Sequence, residues 1–276
     1  MYKEIKVFCK LGVAAVLKEL KQMHDIIVMD PKKSGKMTTG KKNSALQYLM
    51  FLKQKRCGKI NGRVCVDGRK YRKYLTKDNT SAPIMVMEAL FLTCLINAME
   101  HQKLAMVDIP GAFMQSDVEG ETVHMNLEGK LAELLTKLNL KIYQKYVRNK
   151  KGRTVLFVEL KKSRFSTLQA ALLFWRNFMS SLQEWGFGIN PYGFCMENKT
   201  VNEKQMKIVW HVDKLDISHE NGDTVENLIN KISKKYGKEV DLTIHRGKDH
   251  EYLGMKLNYR NQGKVKIDMT DYLKQS

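Results

Sequence analysis

Two carboxylates each interrupt an apolar, strand-like run: Asp108 in Ala105-Met-Val-Asp-Ile-Pro110, and Asp213 in Val209-Trp-His-Val-Asp-Lys214. A carboxylate in such a run is costly to bury unless it is paired, bound to a cation or placed at a strand end. Two readings are open. In one, both residues are turn formers, Asp108 ahead of Pro110-Gly111 and Asp213 at a hairpin tip. In the other, the two strands lie side by side and the carboxylates converge on divalent cations. That arrangement serves phosphoryl transfer, where it activates a 3′-hydroxyl and stabilises a leaving pyrophosphate.

Other chemistries find less support. The five cysteines, at 9, 57, 65, 94 and 195, form no Cys-x-x-Cys pair and are odd in number. Reduced thiols are expected, in a cytoplasmic or nuclear protein that is not secreted. His245 and His250 lack a Cys or acidic partner at ligand spacing, so no structural zinc is expected. The most apolar stretch, Ile84 to Met99, is broken by Glu88 and Asn97 and reads as a buried helix; no membrane partner is expected.

The charge is informative. With 48 Lys and Arg against 29 Asp and Glu, the net charge is +19, which points to a polyanionic partner. The basic residues fall in short groups separated by apolar stretches, at Lys32-Lys33, Lys41-Lys42, Lys53 to Arg56, Arg69 to Lys73 and Arg148 to Arg153. That pattern suits a folded basic surface better than a disordered tail. A hydrophobic content of 43% is ordinary for a globular chain.

The elements that must hold the two aspartates follow from periodicity. Residues 1 to 28 carry helical spacing closed by Asp30-Pro31, and Pro31 to Asn43 reads as a mobile basic linker. Residues 45 to 75 alternate apolar and basic residues, as in a basic hairpin, and Pro83 is expected to open the next helix. Beyond residue 104, strands and helices alternate: strands at 104–109 and 155–160, and a helix over 130–146. Ser166-Thr-Leu-Gln169 is a capping box for a second helix, ended by Gly186. Lys207 to Ser218 reads as two strands joined by a turn near Val212-Asp213. A helix follows from Thr224 to Tyr236 with Asp223 as N-cap, and the chain closes on a hairpin of 252–257 and 265–269. The expected fold class is α+β, an antiparallel sheet covered on one face by helices.

In order and spacing these segments resemble the copia-type retrotransposon reverse transcriptases over nearly the whole chain. Val107-Asp-Ile-Pro-Gly-Ala-Phe113 resembles the family's first catalytic motif, and His211-Val-Asp-Lys214 stands where the family has Tyr-Val-Asp-Asp. Arg63 with Gly68, Ser81-Ala-Pro83 and Tyr252-Leu-Gly254-Met255 are similar to further family motifs. The resemblance implies the polymerase part of a Pol polyprotein, an RNA-directed DNA polymerase with a right-hand architecture. Residues 1–44 would form an N-terminal helix and basic linker, 45–100 the fingers, 101–258 the palm, and 259–276 the truncated start of a C-terminal region. It further implies Asp108 and Asp213 as catalytic ligands of Mg²⁺ or Mn²⁺. Phe113 would lie under the sugar of the incoming nucleotide and Arg63 against its triphosphate. By their types alone, Phe113 equally suits a core and Arg63 a solvated surface. The implied partners are an RNA template, a DNA primer and deoxynucleoside triphosphates.

Several residues depart from the family pattern. Lys214 replaces its second Asp, setting a positive charge beside the metal position. Asp216, two residues on, shares a strand face with Lys214 but is displaced by about 6 to 7 Å, too far to substitute. Asn61 stands for a usual Lys, Tyr71 for a usual Gln, and Ser166 for a glycine that lets backbone approach the nucleotide. These departures imply a degenerate copy. The alternative reading is a catalytically inert relic that only binds nucleic acid through its basic surface.

Overall fold

The computed structural model of the chain describes residues 2–25, 28–54, 58–67, 81–112, 122–161, 170–238 and 240–274. In chain order, α1 (Tyr2–Asp25) precedes β1 (Met29–Lys32), α2 (Thr39–Ser44), β2 (Leu46–Gln54) and β3 (Ile60–Val66). Next come α3 (Met87–Met99), β4 (Lys103–Asp108), β5 (His124–Glu128), α4 (Lys130–Leu138), α5 (Leu140–Tyr143), β6 (Arg148–Lys150) and β7 (Arg153–Leu160). The remainder holds α6 (Ala170–Glu184), β8 (Gly188–Ile189), β9 (Met196–Val201), β10 (Lys204–His211), β11 (Lys214–His219) and α7 (Gly222–Tyr236). It ends with β12 (Thr243–Arg246), β13 (Asp249–Tyr252), β14 (Met255–Asn258), β15 (Lys266–Asp268) and α8 (Thr270–Leu273). The class is α+β, and the described strand pairs are antiparallel except β2 with β5.

The chain divides into two compact units, one of residues 1–81 and 113–174, the other of residues 82–112 and 175–276. The boundaries expected at 44, 100 and 258 do not coincide with this interleaved division. The reason lies in α3, whose buried Cys94 and Asn97 belong to the second unit's interior and not with the β2–β3 hairpin before it.

The first unit is built on the sheet β1-β7-β5-β2-β3 with β6 beside β7. Strand β2 alternates cleanly: Leu46, Tyr48, Met50 and Leu52 are buried, while Gln47, Phe51 and Lys53 face outward. Val16, Leu20 and Met23 of α1 are fully buried in the same unit. Helix and sheet approach closely at Gly62, where an added Cβ would lie 3.1 Å from the Ala15 carbonyl oxygen. Arg63 sits on the outer side of β3, directly across from Phe51.

The second unit is built on the sheet β12-β4-β11-β10-β9-β8, with a separate sheet β13-β14-β15. Helices α6 and α7 cover one face. Phe178 of α6 meets Trp210 of β10 edge-on at 5.3 Å between ring centres, and the Tyr236 hydroxyl of α7 donates to Asn177 Oδ1 at 2.7 Å. Helix α3 lies on the opposite face, so the expectation of helices on one face alone is corrected. Its buried residues are Leu90, Thr93, Cys94, Asn97 and Ala98, and Lys207, on the face away from Trp210, reaches Glu100 just past its end at 3.4 Å.

Five local expectations also change. Asp30-Pro31 does not simply close α1: both residues lie in β1, an edge strand, where a missing N–H is tolerated. The 31–43 linker contains α2, capped by the Thr38 side chain, which accepts from the Lys41 N–H. Helix α3 starts at Met87 with Val86 as N-cap, so Pro83 precedes it; α7 is capped by Asn221, not Asp223. Residues 252–257 are not one strand, because Leu253 and Gly254 turn with positive φ between β13 and β14. The capping box at Ser166–Gln169 lies outside the described residues. Among the described residues no helix is long and apolar enough to cross a membrane, and Cys65, Cys94 and Cys195 are free thiols.

Candidate functional site

Asp108 is the last residue of β4, and its strand runs through the second unit's core: Leu104, Ala105, Met106 and Val107 are all buried. On one side β4 pairs with β11, so that Asp108 stands opposite Lys214; on the other it pairs with β12, opposite Thr243. Asp213 precedes β11 in the two-residue turn Val212-Asp213 that joins it to β10. The Ile109 N–H donates to the Asp213 carbonyl at 2.9 Å, which ties the turn to the end of β4. The structure therefore brings Asp108 and Asp213 to adjacent strand ends of one antiparallel sheet.

The turn itself is strained. Val212 has φ +60° while Asp213 keeps a negative φ, the pattern of a hairpin turn whose first position favours glycine. For a β-branched residue that conformation costs about 1–2 kcal/mol. Its consequence is a sharp hairpin that projects Asp213 beside Asp108.

Directly paired residues of antiparallel strands share a face, so Thr243, Asp108, Lys214 and His211 form one row across β12, β4, β11 and β10. The electrostatics agree with this proximity. Burial raises the Asp213 carboxyl above its usual range, the nearby Asp108 raises it further, and Lys214 opposes the shift. Burial lowers the proton affinity of His211, leaving its ring neutral, with Nδ1 unpartnered. Beside the row opens a cleft of about 710 Å³, lined by Asp108, Lys214, Thr243 and His245 and by Tyr252 and Lys256 of the smaller sheet. The Tyr252 hydroxyl donates to the Lys214 carbonyl at 3.2 Å and fixes that wall.

As a cation site the row is deficient. Asp108 and Asp213 are two carboxylates whose mutual repulsion a cation would relieve, but the ammonium of Lys214 stands across from the first. Among the described residues, no group of three or more His, Cys, Asp or Glu side chains could hold a metal ion. The donor set suits one weakly held divalent ion at most, not a closely spaced pair.

Asp216 does not join the row. It pairs with Met106, is 1% exposed, and neither carboxylate oxygen has a hydrogen-bond partner. Arg63 belongs to the first unit, on an exposed sheet face with Phe51 and Lys53. Asn61 pairs with Lys53 on the same hairpin. Phe113, Gly68, Tyr71 and Ser166 lie outside the described residues. Sequence reasoning missed Thr243 as a neighbour of Asp108, since it sits in a short strand with no motif around it. It could have found His211, because a two-residue loop forces His211 opposite Lys214.

A scan against protein-family models matches no family, and a search of the curated proteins finds no significant match.

Proposed function

We propose that the chain is the fingers-and-palm portion of a copia-type retrotransposon reverse transcriptase, an RNA-directed DNA polymerase by descent. We further propose that this copy has lost DNA synthesis and keeps nucleic-acid binding. The observation that carries the first part is the meeting of Asp108, at the end of a core strand, with Asp213 in a strained two-residue hairpin beside it. Two converging carboxylates at a strand end are what two-metal nucleotidyl transfer requires, and the motif order of the sequence agrees.

The second part rests on Lys214. In its position opposite Asp108 it supplies positive charge where the proposed reaction needs a carboxylate. In an active relative of this arrangement, Mg²⁺ or Mn²⁺ would be held by Asp108 and Asp213 and would supply Lewis-acid chemistry; here Lys214 weakens that binding. Nucleic-acid binding draws support from the first unit, where Phe51, 46% exposed, lies across from Arg63 and beside the outward Lys53. An exposed ring flanked by cations is a platform on which a base stacks while phosphates are neutralised. RNA template, DNA primer and deoxynucleoside triphosphates are the partners this reading assigns.

Primer extension on an RNA template with Mg²⁺ or Mn²⁺ tests it, using the chain itself, Lys214→Asp, and Lys214→Asp combined with Asp108→Asn. The expected result is synthesis by Lys214→Asp alone, with matched circular dichroism across the three. Robust extension by the original chain refutes the loss of activity, and extension that survives Asp108→Asn refutes the two-carboxylate assignment. A chain that binds neither RNA nor an RNA–DNA hybrid refutes the family reading.

A further inference from the structure

Beneath α3 the second unit buries a group of polar side chains that the candidate site does not use. Asp216 of β11 is 1% exposed, Lys207 of β10 is 3% exposed, and Asn97 of α3 and Ser218 of β11 are equally enclosed. Both Asp216 oxygens and the Ser218 hydroxyl lack a hydrogen-bond partner. Orphaned buried polar groups on this scale are rare in folded proteins and call for a cause. Pairing puts Lys207 opposite Ser218, so Lys207 and Asp216 lie on one sheet face under α3, on neighbouring strands.

Lys207 has a choice of two carboxylates. Its ammonium now holds Glu100, just past the C-terminal end of α3, at 3.4 Å. Asp216 stands on the other side, near enough for their charges to act on each other. The remaining groups around Asp216 are uncharged at neutral pH. They are the Cys94 thiol of α3, the Tyr252 hydroxyl of β13 and the Tyr259 hydroxyl after β14, all pushed toward the protonated form by burial. His245 lies two strands away, beyond Met106 in the same row. Lys207 is therefore the cation within reach of Asp216 among the described groups that act on it.

We propose that Lys207 is a proton-dependent latch on α3, held by Glu100 while Asp216 is protonated and drawn inward to Asp216 when that carboxyl ionises, which frees the end of the helix. The direction follows from charge. A neutral Asp216 leaves Glu100 as the better partner, whereas a buried, ionised Asp216 with no other cation and no hydrogen bond competes strongly for Lys207. Burial pushes the Asp216 carboxyl up to about 7, so the exchange falls near neutral pH. The helix so released packs on the strand that begins one residue after Asp213. This device depends on packing alone and does not rest on the polymerase reading.

Amide hydrogen exchange of residues 95–102 in the full chain tests the latch. After correction for intrinsic rates, protection should fall about tenfold between about pH 6 and about pH 8, reflecting opening of the helix end. Asp216→Asn should keep protection high and flat across that range, and Glu100→Gln should leave it low and nearly flat. Glu100 is exposed, so Glu100→Gln decides alone if Asp216→Asn does not fold. A flat profile in the original chain, an Asp216→Asn slope equal to the original, or a Glu100→Gln profile matching the original each overturns the proposal.

Discussion

Reversing the charge at position 214 should make the stability of the chain depend on divalent cations. Directly paired residues stand about 5 Å apart across an antiparallel ladder. At an effective dielectric of about 20, one pair of unit charges at that distance is worth about 3 kcal/mol. Lys214→Asp exchanges an attraction of that size with Asp108 for a repulsion of that size, a gross change of about 6 kcal/mol. Asp108, Asp213 and Lys214 are all partly exposed, and solvent screening cuts such values severalfold, so about 2 kcal/mol of net destabilisation is expected. A divalent cation held between the carboxylates would reverse it, since a ligand at about 100 times its dissociation constant adds about 2.7 kcal/mol. The assay is urea unfolding of the original chain, Lys214→Asn and Lys214→Asp, each with chelator and with millimolar Mn²⁺. Lys214→Asp should be the least stable in chelator and the only one that Mn²⁺ restores. Equal response of all three chains to Mn²⁺, or no loss of stability in Lys214→Asp, would refute the placement of a shared carboxylate site at this strand end. The measurement is independent of any DNA synthesis.

Three further outcomes follow from particular residues. Phe51→Ala should weaken single-stranded RNA binding by about 1–3 kcal/mol at fixed salt, whereas Arg63→Ala should chiefly flatten the salt dependence; fluorescence anisotropy across a salt series separates them. Glu197 is 1% exposed, and burial pushes it up to about 7 against the nearby Asn190 backbone. Its folded value is raised, so the unfolded chain ionises first and stability should fall as pH rises from about 4.5 to about 7, by about 3 kcal/mol at most; Glu197→Gln should lessen the slope in denaturation curves, leaving the part that the raised Asp216 carboxyl contributes. Val212→Gly relieves the positive-φ turn and should raise the unfolding free energy slightly, by up to about 1 kcal/mol, and a clear loss in urea unfolding would show that Val212 is not strained.

Much of the fold was legible because one-sided burial writes its period into the sequence. The alternation expected over 45–75 is seen in β2, where buried and exposed residues alternate from Leu46 to Lys53, and the run before Asp108 became a core strand. The hairpin over 207–218 turned where expected, at Val212-Asp213. What failed were elements whose stability comes from distant partners. Strand β1 contains a proline and lacks apolar alternation; it is a strand because β7 offers an edge. Helix α3 is apolar nearly all round, so its period could not say which side faces the core. Its inward residues are Leu90, Thr93, Cys94, Asn97 and Ala98, while Phe91, Leu92, Leu95 and Met99 are exposed. In the structure the helix falls in the second unit, apart from the β2–β3 hairpin that precedes it in the chain.

The candidate site was legible as a pair of odd residues but not as an arrangement. Asp108 and Asp213 drew notice because each breaks an apolar run, yet spacing alone favoured a pair of turn formers. In the structure both readings hold in part, since Asp213 is in a turn and that turn sets it beside Asp108. The weight of Lys214 changes most. From sequence it is one residue off a motif; in the sheet it stands directly opposite Asp108, so its ammonium cannot avoid the carboxylate by lying on the other face. The same register shows why Asp216 does not compensate. Two residues along β11 keeps it on the Lys214 face but carries it opposite Met106 and under α3, where it meets Lys207 in the interior and not Asp108 in the cleft. One ladder thus assigns the two departures opposite fates: the lysine faces the open cleft and bears on the proposed chemistry, and the aspartate is enclosed and bears on the packing of α3.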